Sequence, residues 1–164
     1  MNYSRQSPKS EVRSPRSAGG KADSQFTTDE AFWNWGDEPE GDMALREDAP
    51  PKDQVRDLEE RATRFGEAII RFARKLPRNP VNNRLIDQLV GAGTSIGANY
   101  SEAKDAVSRK DFKNRVGTSR KESKETMFFL RMIAAAEESL AGEARALWRE
   151  AKELNLIFGS IWRK

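Results

Sequence analysis

The chain has no cysteine and no histidine among its 164 residues. Without thiols there are no disulfides and no thiolate metal sites. Without imidazole the commonest general base and metal-binding nitrogen is missing as well. Long apolar runs are also lacking. The longest charge-free apolar stretch near the C-terminus, Leu154 to Trp162, is far short of the ~20 residues of a membrane span. The N-terminal residues include several basic ones but not the apolar centre of a signal peptide. The expectation is a cytoplasmic protein without membrane contact, metal or cofactor.

Charge is present in quantity and unevenly placed. Residues 1–22 carry five Lys/Arg and one Glu, a net +4. Residues 23–53 carry two basic and ten acidic residues, net −8. The remainder holds 22 basic and 15 acidic residues, net +7, so the overall +3 conceals a basic body behind an acidic segment. A basic body attracts polyanions, nucleic acid among them.

Residues 1–52 are dominated by Ser, Pro, Gly and charges, and no helical or strand period persists there, which predicts a disordered tail. Met43, close before the periodic region, is an alternative first residue. Within the tail lies a cluster of aromatics set among acids: Phe26, Phe32, Trp33 and Trp35. One reading is a short docking element that orders on a partner; the other is an incidental cluster in a weakly constrained segment.

The rest, 53–164, is one domain with a helical period. Val55, Leu58, Ala62, Phe65, Ile69, Phe72 and Leu76 recur at steps of 3 and 4, placing them on one stripe of an α-helix. Four such stripes predict helices at about 53–76, 81–103, 109–136 and 142–163. The second carries Leu85, Leu89, Ala92, Ile96 and Tyr100. The third carries Phe112, Val116, Ser119, Ser123, Thr126, Leu130 and Ile133, and the fourth Leu140, Ala144, Leu147, Ala151, Leu154, Phe158 and Ile161. Asp53 is the expected first cap, Leu76-Pro77 the first stop, and Ser108-Arg-Lys-Asp111 a capping box with Asp in place of Glu. Short connections force sequential helices to run antiparallel. The expected fold is all-α: an up-down-up-down antiparallel four-helix bundle with a disordered N-terminal tail.

Three glycines in seven residues of the second helix (Gly91, Gly93, Gly97) each cost about 1 kcal/mol relative to alanine. Close approach of another backbone offsets that cost most simply, with a kinked or mobile helix as the alternative. A phosphate-binding loop is not the expected reading, because no P-loop lysine and no preceding strand accompany the glycines.

The third helix opens with seven Lys/Arg against two acids between residues 109 and 124. Arg109, Lys110, Lys113, Arg120, Lys121 and Lys124 are the candidate nucleic-acid-binding residues, most of them on a face away from the core. The bland alternative is an ordinary solvated face. No base-reading motif accompanies the strip, so binding through it would be weakly sequence-selective. Farther along, Phe128, Met132 and Ala135 form a second apolar stripe, and Trp148 and Trp162 lie beside the main stripe of the fourth helix. Such two-sided apolarity predicts self-association through Phe128, Met132, Trp148 and Trp162. Catalysis finds little support. Glu122 and Glu125 are one turn apart, but with Lys121 and Lys124 beside them ion pairing is expected rather than metal binding. Asn99, Ser101 and Glu102 are expected to make helix-end hydrogen bonds.

A resemblance rests on particular residues. Gln88-Leu89, the run Thr94-Ser95-Ile96-Gly97-Ala98-Asn99-Tyr100-Ser101-Glu102-Ala103, Lys110-Asp111-Phe112, the run Arg120 through Leu130, and Glu150-Ala-Lys-Glu153-Leu154 together resemble the bacterial four-helix-bundle proteins encoded by intervening sequences of 23S ribosomal RNA genes. Ala103 replaces the glycine that usually closes helix 2, Phe129 stands where tryptophan is common, and the acidic tail has no counterpart. The resemblance implies a homopentameric bundle without established catalytic residues. A similar protein, the accessory variability determinant of diversity-generating retroelements, implies a role beside a reverse transcriptase and its RNA. The leading expectation is a non-enzymatic oligomeric scaffold binding RNA or DNA, or a nucleoprotein, through helix 3. The alternative is a protein–protein adaptor using the second apolar face and the aromatic tail, without nucleic acid.

Overall fold

The computed structural model describes Phe32, Trp33 and residues 52–164, the side chains of the latter from residue 58 onward. Four helices follow one another: α1 (Lys52–Ala73), α2 (Pro80–Lys104), α3 (Arg109–Ala136) and α4 (Ala141–Arg163), with a 3-10 turn at Glu138–Leu140 before the last. Local chemistry explains the boundaries. α1 stops three residues short of the expected Leu76 because the backbone tightens. Lys75 N–H donates to Phe72 O at 3.0 Å and Leu76 N–H to Ala73 O at 3.3 Å, bonds of the narrower helix. α2 begins at Pro80, one residue earlier than expected. Pro80 occupies the first helical turn, where a missing N–H costs nothing, and the Asn79 side chain accepts from Asn82 N–H at 2.8 Å. Ser108 Oγ caps α3 as the sequence predicts, accepting from Asp111 N–H at 3.1 Å.

The turn from α2 to α3 closes without a glycine. Asp105 has φ −94° and ψ 10°, and Asp105 and Ala106 N–H donate to Glu102 O and Ala103 O at 3.2 and 3.1 Å. The cap residue Asp105 takes no left-handed backbone, and Ala103 before it is buried.

Cross-helix contacts establish the antiparallel order. Between α1 and α2, Ala62 lies beside Gly97 while Ile69 lies beside Gly93. Ser119 Oγ donates to Ile96 O (3.0 Å) across α2 and α3, and Asn155 Nδ2 to Arg120 O (2.7 Å) across α3 and α4. Arg61 bonds Glu150 through two hydrogen bonds of 2.6 and 2.9 Å, and Lys75 reaches Glu143 at 2.8 Å, closing α1 against α4. The helices thus run up, down, up and down around one core.

That core holds the expected stripes with a few shifts. Ala62, Phe65, Ile69, Phe72, Leu89, Ile96, Val116, Leu130, Ile133, Leu154 and Phe158 are buried. In the second turn of α2 the buried residue is Ile86; Leu85, expected inward, is only half-buried. Ser119, Ser123 and Thr126 form a polar seam with 0% exposure, yet each hydroxyl donates to a backbone carbonyl, so none is orphaned. The glycines favour close approach over a kink. A Cβ on Gly93 would stand 2.9 Å from two Ile69 carbons, and one on Gly97 3.5 Å from the Ala62 backbone, whereas Gly91 faces open space. α1 therefore lies against α2 at a distance only small residues permit.

Of the segment expected to be irregular, Phe32 and Trp33 are described, and both are helical, their rings 4.9 Å apart edge to face. Phe26, Trp35, Met43 and the rest of 1–51 lie outside the described residues.

Candidate nucleic-acid interface

The core stripe of α3 determines where its cations emerge. With Val116, Ser119 and Ser123 turned inward, Lys110, Lys121 and Lys124 are exposed, and Lys113 and Arg120 stand half-buried at the margin. The end of the antiparallel α4 lies alongside this stretch and supplies the second wall of a groove. One part, about 630 Å³, is lined by Arg109, Lys110, Lys113 and Asn114 of α3 with Trp162 and Arg163 of α4. The adjoining part, about 450 Å³, shares Lys113, Asn114 and Trp162 and continues past Gly117 to Arg120, Lys121 and Lys124. All six basic residues singled out in the sequence therefore line one continuous depression. Arg163 and Asn114 join them. They were not legible beforehand, because Arg163 reaches the site only through the register of α4 on α3.

Pairing elsewhere sharpens the charge. Glu59 holds Lys104, Glu102 and Asp111 hold Arg115, Glu143 holds Lys75 and Glu150 holds Arg61, while Glu60 and Glu67 bind arginines one turn along their own helix. Among the described residues no ion pair joins Lys110, Lys113, Arg120, Lys121 or Arg163 to an acid. Arg109 donates to the backbone oxygen of Lys164, which fixes the far end of the groove. Several of these acids tie one helix to another, and among the described residues no acid lines the groove, so its lining is net positive.

Trp162 sits in the middle of that channel and is 44% exposed. Its pyrrole edge rests on α3 where Gly117 presents no side chain: a Cβ there would come 3.2 Å from Nε1 and 3.3 Å from Cδ1. A second glycine plays a similar part below it. The Arg120 guanidinium lies over Gly159, with Nε 3.4 Å from where a Cβ would stand. That Nε is buried and has no hydrogen-bond partner among the described residues.

The residues expected to mediate self-association do not share one surface. Phe128 is 55% exposed, with Phe129 edge to face against it at 5.2 Å, and Met132 is half-buried. Trp148, expected to face outward, is buried at 7% exposure, with Lys152 Nζ 5.8 Å from its ring. Trp162 belongs to the basic groove: Gly117 beneath it precedes Phe128 by 11 residues, about 16 Å of helix. Trp33, expected as a docking aromatic, is also buried.

The carboxylates form no shared site. Burial first, and then the neighbouring Glu125, push the Glu122 carboxyl above the usual range. Glu102 is committed to Arg115, and Asn99 Nδ2 donates to Ser95 O at 2.8 Å within its own helix. Among the described residues no three ligating side chains converge. Nor is any helix among them long and apolar enough to cross a membrane.

Four antiparallel helices with a basic groove define a helical-bundle protein, and the comparison with known proteins makes this specific. The family described as 23S rRNA-intervening sequence protein matches residues 56–159, and the chain belongs to it. A crystal structure of a protein of unknown function from the S23 ribosomal protein family of Bacteroides thetaiotaomicron is similar, with a TM-score of 0.60 and 27% identity. The similarity covers 68% of this chain and 99% of that one. No curated protein matches.

Proposed function

We propose that the chain is a non-enzymatic, self-associating helical scaffold that binds nucleic acid, or a nucleoprotein, through the basic groove between α3 and the end of α4. It would serve as an accessory to a nucleic-acid enzyme such as a reverse transcriptase. The observation that carries this reading is the collection of Arg109, Lys110, Lys113, Arg120, Lys121, Lys124 and Arg163 along one depression, while acids elsewhere pair with other bases. A phosphate backbone satisfies such a channel and releases its counterions on binding, which gives affinity without sequence selectivity. The adaptor alternative, which uses the second apolar face and the aromatic tail, has exposed Phe128 in its favour but leaves the basic groove without a role.

Binding to RNA should weaken steeply between low and moderate salt. The Lys110→Glu, Lys121→Glu double variant should lose at least about tenfold in affinity at low salt. Binding that ignores salt, or that survives the double reversal, would refute the proposal.

A further inference from the structure

We infer that the groove receives an unpaired nucleic-acid strand and that one of its bases stacks on Trp162. This rests on the nucleic-acid reading above and adds the class of ligand and the residue that selects it. Trp162 is the one large apolar side chain lining the groove, and 44% of it faces outward among the cations. An exposed indole wedged between Lys113 and Lys121 contributes little to the core, so its position calls for an occupant with a flat apolar face. Nucleobases have one, and their backbone carries the charge that the surrounding residues complement.

The seat of the ring is built. Gly117 lets the pyrrole edge settle onto α3, and a Cβ there would come to 3.2 Å from Nε1 and 3.3 Å from Cδ1, closer than ordinary van der Waals contact. Held by that edge at the end of α4, the indole is a preorganised platform whose ordering cost is met on folding and not on binding. Cations lie on both sides of it, Lys110 and Lys113 toward one end and Arg120 and Lys121 toward the other. They span about 16 Å of helix, so a strand can keep phosphates on each side while a base turns inward.

A duplex cannot use this arrangement. Its bases are already stacked on each other and offer only edges, so it meets the cations and bypasses the indole. Selection for the single strand therefore resides in Trp162, and general affinity in the lysines and arginines.

The test uses the full chain with a short fluorescein-labelled oligouridine strand and an RNA duplex of equal length, at low salt. Trp162→Ala should weaken the single strand about tenfold and change the duplex less than about twofold, while Trp162→Phe retains most of the affinity. Strand binding should also quench tryptophan emission in the wild type and leave that of Trp162→Phe unchanged, a readout that holds even if the alanine variant misfolds. Equal losses for strand and duplex, or no loss and no quench in a wild type that binds both, would overturn the stacking and leave the nucleic-acid reading standing. A wild type that binds neither probe would overturn both.

Discussion

Ile69 and Gly93 show how much one atom decides in this protein. Ile69 is fully buried, and its Cγ1 and Cγ2 occupy the place a Cβ on Gly93 would need, 2.9 Å away. Its own Cβ follows at 3.2 Å, so rotating the side chain does not clear the site. Gly93→Ala should therefore destabilise by about 1–2 kcal/mol, because overpacking outweighs the gain in helix propensity. Gly91 differs: nothing lies within 4 Å of its missing Cβ, so Gly91→Ala should stabilise by about 1 kcal/mol. Urea denaturation of the two variants checks the opposite signs. The run of glycines was legible in the sequence as a sign of close packing. Which glycine touches the neighbour and which faces space was not, because that depends on the rotation of α2 against α1.

At the scale of elements, polar ties at the ends hold the helices in register over the apolar seam. Asn82 is buried and donates to both Pro77 O (2.9 Å) and Glu137 Oε1 (2.6 Å), joining the start of α2 to the end of α3. Lys104 joins the end of α2 to Glu59 of α1. The Lys104 hydrogen bond, helped by one from Ser101, holds the Glu59 carboxyl below its ordinary 4.5. A depressed folded-state value stabilises above the unfolded pKa, and that stabilisation is lost as pH falls through the folded one. Lys104→Met should thus lower stability at pH 7 by less than about 1 kcal/mol, since the pair is solvent-screened. The deficit should shrink at pH values below the folded-state pKa of Glu59. Thermal melts at the two pH values measure it.

For the whole molecule, the proposed self-association turns on the apolar surface around Phe128. Phe128 is 55% exposed, edge to face with Phe129 and near half-buried Met132, and this is the surface a second copy would cover under the proposed self-association. Phe128→Lys should shift the mass in solution toward the monomer while leaving helical circular dichroism intact, as light scattering after size exclusion would show. The same variant should retain strand affinity per chain, because Trp162 is seated on Gly117, about 16 Å from Phe128 along α3.

Periodicity by itself determined the helices, their caps at Ser108 and their antiparallel order, since steps of three and four leave each helix one apolar stripe to hide and short turns leave it one direction to run. The six basic residues of α3 were equally plain, because charge within one helix is local information. Only the packed bundle decided that Trp162 and Arg163 complete their groove and that Trp148 is buried. Those outcomes turn on how far α4 is slid and rotated against α3, and the contacts that set this, Gly117 under the indole and Asn155 on the Arg120 carbonyl, join residues more than thirty positions apart.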